Sequence, residues 1–189
     1  MRRWSTALVV AGLAGAEVVA AAPAVSAANT TCLVADTTSD HSYGSLQAAA
    51  DAAAAGDTLF VKRTCAGTTT IGKDLTVAGH SNGGDKTETL NGNQQGSVLT
   101  IGSGVVVTLN GLVITNGAFA FGGGILNIGG TVTLNDGTIT GNTASVSGGG
   151  IYKGCTLNLN DTSTVSSNTA RQGGGIANTG ALNLNAPGR

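Results

Sequence analysis

From Val98 onwards, apolar and polar residues alternate in short runs, as in Val98-Leu99-Thr100-Ile101, Val132-Thr133-Leu134 and Leu157-Asn158-Leu159. A period of two over two to five residues, closed each time by a polar turn, predicts short strands and leaves no room for a ten-residue helix. The pattern also repeats at long range. Gly122-Gly123-Gly124-Ile125 recurs as Gly148-Gly149-Gly150-Ile151 and Gly173-Gly174-Gly175-Ile176, at spacings of 26 and 25 residues. Leu134-Asn135-Asp136 returns as Leu159-Asn160-Asp161, and Gly141-Asn142-Thr143-Ala144 as Ser167-Asn168-Thr169-Ala170. Asn127 and Asn178 follow their isoleucines by two residues, and Leu109, Asn110 and Ile114 mark a fainter earlier turn.

Three short strands and three turns in about 25 residues describe one coil of an all-β, right-handed, single-stranded parallel β-helix. Coils stacked at about 4.8 Å bring equivalent side chains into columns. Ile125, Ile151 and Ile176 are expected to form one inward stack, and Leu134, Leu159 and Leu184 another. The triple glycines suit a corner that needs positive φ or close backbone approach. Asn142 and Asn168 are expected to stack as an asparagine ladder that satisfies backbone groups at a turn. A phosphate-binding loop is a poor reading of the glycines, since no lysine follows them and no helix begins there.

Upstream, residues 45–55 (SLQAAADAAAA) predict the single mature helix, capped by Ser45 and ended by Gly56. Strands are expected at Thr58–Val61, Thr69–Ile71, Leu75–Val77, Val98–Ile101 and Val105–Leu109. The helix is read as a cap over the open first coil, because an uncovered end invites edge pairing. Residues 79–96 are read as the largest loop. The organisation expected is a signal peptide over 1–27, an N-terminal cap with the helix and first strand over 28–66, and coils over 67–189. The chain stops partway through a coil, which suggests a truncated product.

Composition narrows the function classes. The net charge is −1, only 10% of residues are charged, and no basic run carries interleaved aromatics, so nucleic acid is not an expected partner. Arg2 and Arg3, an apolar stretch from Ala7 to Ala22 broken by Glu17, and Val25-Ser26-Ala27 read as a cleavable signal rather than a membrane anchor. No transmembrane segment is expected after cleavage. Secretion favours a disulfide between Cys32 and Cys65, which flank the first mature segment. Cys155 is then left over, read as a small buried residue within a strand-like repeat. Three cysteines and two distant histidines make a poor zinc set; no metal or cofactor is expected.

At the GGGI and [IV]xxN elements the chain resembles the polymorphic outer-membrane-protein repeats of bacterial surface proteins, which carry GGA[IV] and FxxN in each coil. Ile139–Asn142 (ITGN) and Val165–Asn168 (VSSN) stand in for the second motif, with Ile or Val replacing its Phe. The Cys-flanked start, the SLQAA helix and the GDTL strand also resemble secreted parallel β-helix proteins of actinobacteria with a pectate-lyase-like fold. The resemblance covers roughly residues 32–186. It implies the fold, but the fold carries adhesins, lyases and tailspikes alike.

Among candidate sites, Asp136 and Asp161 are the only mature acids at equivalent repeat positions. Stacked carboxylates could act as an acid/base pair or share a calcium, as in polysaccharide lyases. A surface Asn-Asp turn repeated with the coil is the simpler reading. His80, Asp85, Lys86 and Glu88 form the one charged cluster, most simply a solvated loop. Ice binding needs continuous threonine rows; Thr131/Thr133 and Thr138/Thr140 are candidates, but Leu157 and Asn158 are taken as interrupting them. The expected function is therefore non-enzymatic: an adhesin-like secreted or cell-surface scaffold for a glycan or protein partner. The alternative is a pectate-lyase-like enzyme. Edge-to-edge self-association is a further expectation for an open solenoid.

Overall fold

The computed structural model describes residues 32–79 and 88–185. The signal-peptide reading over 1–27, the loop residues His80, Asp85 and Lys86, and the last four residues of the chain lie outside them. The alternation read from the sequence resolves into a parallel β-solenoid of about five turns, about 25 residues each, preceded by one short helix.

Strands β1 (Leu33–Asp36) and β2 (His41–Tyr43) form an antiparallel hairpin, followed by helix α1 (Leu46–Ala52). The first coil comprises β3 (Thr58–Lys62), β4 (Thr64–Ala66) and β5 (Thr69–Ile71). The second comprises β6 (Leu75–Gly79), β7 (Thr89–Asn91) and β8 (Leu99–Ile101). In the third, β9 (Val106–Asn110) and β10 (Val113–Thr115) are joined by β11 (Ala118–Phe121) before β12 (Ile125–Asn127). The fourth repeats this as β13 (Thr131–Asn135), β14 (Thr138–Thr140), β15 (Thr143–Ser147) and β16 (Ile151–Lys153). Strands β17 (Thr156–Asn160), β18 (Thr164–Ser166) and β19 (Ile176–Asn178) form the fifth, and β20 (Ala181–Asn185) follows.

Equivalent strands pair in register to make three long sheets. The first runs β2-β1-β3-β6-β9-β13-β17-β20, the second β4-β7-β10-β14-β18 and the third β5-β8-β12-β16-β19. A fourth sheet, β11-β15, replaces what the sequence suggested was a plain turn. In the fifth coil it shrinks to the bridges Thr143↔Thr169 and Ser147↔Gln172. The loop expected over 79–96 is shorter too, since β7 lies inside it and pairs with β4 and β10.

The core is a set of inward columns. Ile125 and Ile151 are buried and Ile176 packs below them; Leu134 is fully buried, Leu159 partly, and Leu184 is 70% exposed. Burial thus declines toward β20, whose five residues are all exposed.

The opposite end is closed by two devices. Strand β1 pairs antiparallel with β3, and α1 buries Leu46, Ala49 and Ala50. Ser45 caps the helix by accepting from the Ala48 amide. The helix stops at Ala52, three residues short of the expected end: Ala53 leaves helical ψ, and the Lys73 ammonium donates to the carbonyls of Asp51 and Ala53. Those bonds satisfy last-turn acceptors that the helix cannot.

A disulfide joins Cys32 to Cys65. Asp36, itself buried, turns the β1–β2 hairpin by accepting from Ser39 Oγ (2.6 Å) and the Thr38 amide (2.9 Å). The Ser39 hydrogen bond, with help from the Thr38 amide and against the cost of burial, holds its carboxyl below the ordinary aspartate range. The unfolded chain therefore binds the proton more readily than the native one. The stability Asp36 contributes is present above about pH 4 and is lost as pH falls through the lowered native value. Denaturant titrations between pH 5 and pH 2 are expected to show that loss, with a shallower slope in Asp36→Asn.

Candidate functional site

Side chains that alternate inward and outward along each strand turn the repeat into outward columns. On the first sheet Asn110, Asn135, Asn160 and Asn185 form a ladder, each amide donating to the one before at 2.7–2.8 Å. Thr131 stands in register with Thr156, and Thr108 with Thr133. Leu157 is not the residue that interrupts these threonines. Leu157 instead pairs with Val132 and points inward, while Asn158 does follow Thr133.

Asp136 and Asp161 occupy consecutive coils, both exposed and both with left-handed backbone, φ 50° and 56°. Gly111 holds the same corner one coil earlier with φ 59°. Glycine and aspartate share the column because both tolerate that conformation. The Asp136 carboxylate accepts from the Thr162 hydroxyl (2.8 Å) and, more weakly, from its amide (3.3 Å). It thus ties the fourth coil to the fifth at this corner. Of the charged cluster, only Glu88 is described, and it is buried.

Two inward polar columns bear on the fold. Asn142 donates to the carbonyls of Ile114 and Thr140 and to Asn168 Oδ1, and it accepts from the Gly117 amide at 2.8 Å. Asn168 continues the ladder to the Ile139 carbonyl. Replacing Asn142 by Leu strands these buried groups and is expected to cost about 3 kcal/mol, read as a lower denaturant midpoint. In the other column, Asn127, Lys153 and Asn178 are in register. Asn127 closes its own turn through Gly129 and Gly130. Lys153 is fully buried and donates to the carbonyls of Cys155 and Ala181. Burial pushes its ammonium below the ordinary lysine range. Cys155 is not inside a strand as expected; it is half-exposed at the bend before β17, a corner that Gly130 and Gly180 occupy in neighbouring coils.

A concave site lies where the third and fourth sheets meet. Phe121, the last residue of β11, and Tyr152, in β16, pack with ring centroids 5.0 Å apart and planes tilted by 55°. Phe121 is 37% exposed and Tyr152 half-exposed. Beyond them the outward column falls from Tyr152 to Ala177, and β15 has only isolated bridges to the fifth coil. The step leaves a notch of about 440 Å³, bordered by the two rings and by Val146, Gln172, Asn178 and Thr179. That is the size range of small-ligand sites.

The notch is amphipathic. Its rings present apolar faces, while its polar groups are amides and hydroxyls. Asn178, exposed because its inward column ends at the fifth coil, uses its Oδ1 to accept from the Gly180 amide. The Gln172 amide is likewise exposed. None of these residues stands out in the sequence, because Phe121 and Tyr152 are 31 positions apart and occupy non-equivalent places in adjacent coils. The usable signal is compositional: in a chain that is only 3% aromatic, Phe119 and Phe121 directly precede the first GGGI motif and Tyr152 directly follows the second.

The chain matches no protein-family model, no curated protein and no solved structure.

Proposed function

We propose that this protein is a non-enzymatic, adhesin-like β-solenoid of the secreted or cell-surface kind, which holds a glycan or protein partner in the Phe121–Tyr152 notch. The observation that carries the reading is a solvent-facing aromatic pair set beside exposed amides in an otherwise aromatic-poor chain. Aromatic faces give contact area at small entropic cost, and adjacent amides give direction. The engagement of Asp136 in an inter-coil corner supports a scaffold over a lyase. The disulfide, and the lack among the described residues of a helix long and apolar enough to cross a membrane, are compatible with an extracellular setting.

The test is immobilised full-length chain probed with a glycan array and with extracellular proteins, alongside Phe121→Ala. Binding without turnover that weakens in the variant supports the proposal. Calcium-dependent release of unsaturated products from polygalacturonate, abolished by Asp136→Ala, would replace it with a pectate-lyase-like activity.

A further inference from the structure

Resting on the glycan-or-protein reading above, we infer that the notch selects an uncharged sugar, bound by the C–H face of a pyranose ring against Tyr152 and Phe121. The charge of the site decides against acidic glycans. Its border is made of two aromatic rings, three aliphatic side chains, a glycine, two carboxamides and two hydroxyls, with no carboxylate, guanidinium or ammonium. Lys153, adjacent to Tyr152 in sequence, points inward and commits its ammonium to two carbonyls. Arg171, beside Gln172, is exposed but does not border the notch. An anionic sugar entering here would lose hydration and meet no cation, a cost that buried charges escape only when paired.

The geometry suits a ring with one apolar face and an equatorial rim of hydroxyls. One ring of the pair can lie parallel to the apolar face while the other, inclined by 55°, flanks it. The carboxamides of Gln172 and Asn178 border the notch, where hydroxyl rims present both donors and acceptors. A protein partner is less well matched: the recess is small, while stable protein interfaces need roughly 800 Å² on each side.

The test is affinity electrophoresis of the full chain through native gels containing neutral polysaccharides (glucan, mannan, galactan) or acidic ones (polygalacturonate, hyaluronate). Retardation by at least one neutral polymer is expected, unchanged between 0.1 M and 1 M NaCl, because no ion pair contributes. Tyr152→Ala and Phe121→Ala are each expected to weaken it about tenfold. Phe119→Ala, exposed but outside the notch, is expected to leave it unchanged. Thermal unfolding of each variant separates lost folding from lost binding. Retardation confined to acidic polymers and erased by salt would overturn the neutral-sugar inference while leaving glycan binding standing. No retardation by any polymer, with capture of an extracellular protein through Tyr152, would overturn the inference and leave a protein-binding scaffold.

Discussion

Reduction of the Cys32–Cys65 disulfide is expected to lower stability by about 4 kcal/mol, the value that loop-closure entropy gives for a separation of 33 residues. The bond's position adds to that figure's meaning. Cys65 heads the inward column that continues through Leu90, Ile114 and Ile139, so the sulfur pair forms the floor of the core at its capped end. The enclosed segment contains β1, β2, α1 and β3, which hold the cap on the first coil. An opened disulfide therefore loosens the hairpin, the helix and the first strand together. For a domain of this size the loss corresponds to a fall of roughly 10 °C in Tm. Guanidinium titrations with and without reductant measure it, and Cys32→Ser is expected to reproduce the reduced curve. Cys155→Ser is expected to leave the reductant effect intact, since that thiol lies outside the bridge. Coincident curves with and without reductant would show that packing alone holds the cap.

The solenoid was legible in the sequence because its physics repeats. One coil's corner glycine, inward isoleucine and ladder asparagine must recur where the next coil stacks, so Gly122, Ile125 and Asn142 identify their partners by spacing alone. Features that occur once were less legible, α1 and the Cys32–Cys65 disulfide excepted. The β1–β2 hairpin depends on a single aspartate turn, and β7 is only Thr89-Leu90-Asn91, too short to alternate visibly inside a charged stretch. Lys153 stands in an asparagine column, although lysine is among the residues least often buried. The expectation that no continuous threonine row forms holds, since Thr133 is followed by Asn158 and the Thr131–Thr156 pair is flanked by Val106 and Ala181; one pairing differs. A one-residue slip in a period-two pattern exchanges the inward and outward faces, so Leu157, set against the threonines by spacing, belongs to the inward column and Thr156 is the partner of Thr131. The aromatic notch needed that register as well, since Phe121 and Tyr152 meet only across the step between coils.

The glycine triplets give the second large expected effect, and the three positions differ in cause. Gly122, like Gly148 and Gly173, has left-handed backbone with φ 63°. Gly123 does not; its constraint is space. A Cβ there would lie 2.4 Å from the Thr143 carbonyl oxygen and 2.7 Å from that of Gly149. Both obstacles are backbone atoms of the next coil, so neither can swing aside as a side chain would. Gly149 repeats the contact against Thr169 and Gly174, at 2.4 Å each. Gly123→Ala must therefore push two coils apart where they are tied amide to carbonyl, as in the Gly123–Gly148 and Gly124–Gly149 hydrogen bonds. The expected cost is about 4 kcal/mol, above the usual range for overpacking because the obstruction is backbone. Gly154→Ala is the matched control: a Cβ there meets nothing within 4 Å, and the unfolded chain loses the same freedom. The control is expected to stay within about 0.5 kcal/mol of the parent. Equal denaturant midpoints for the two variants would mean that the coils can separate cheaply at the GGGI corner, and that the motif marks a turn without setting the distance between coils.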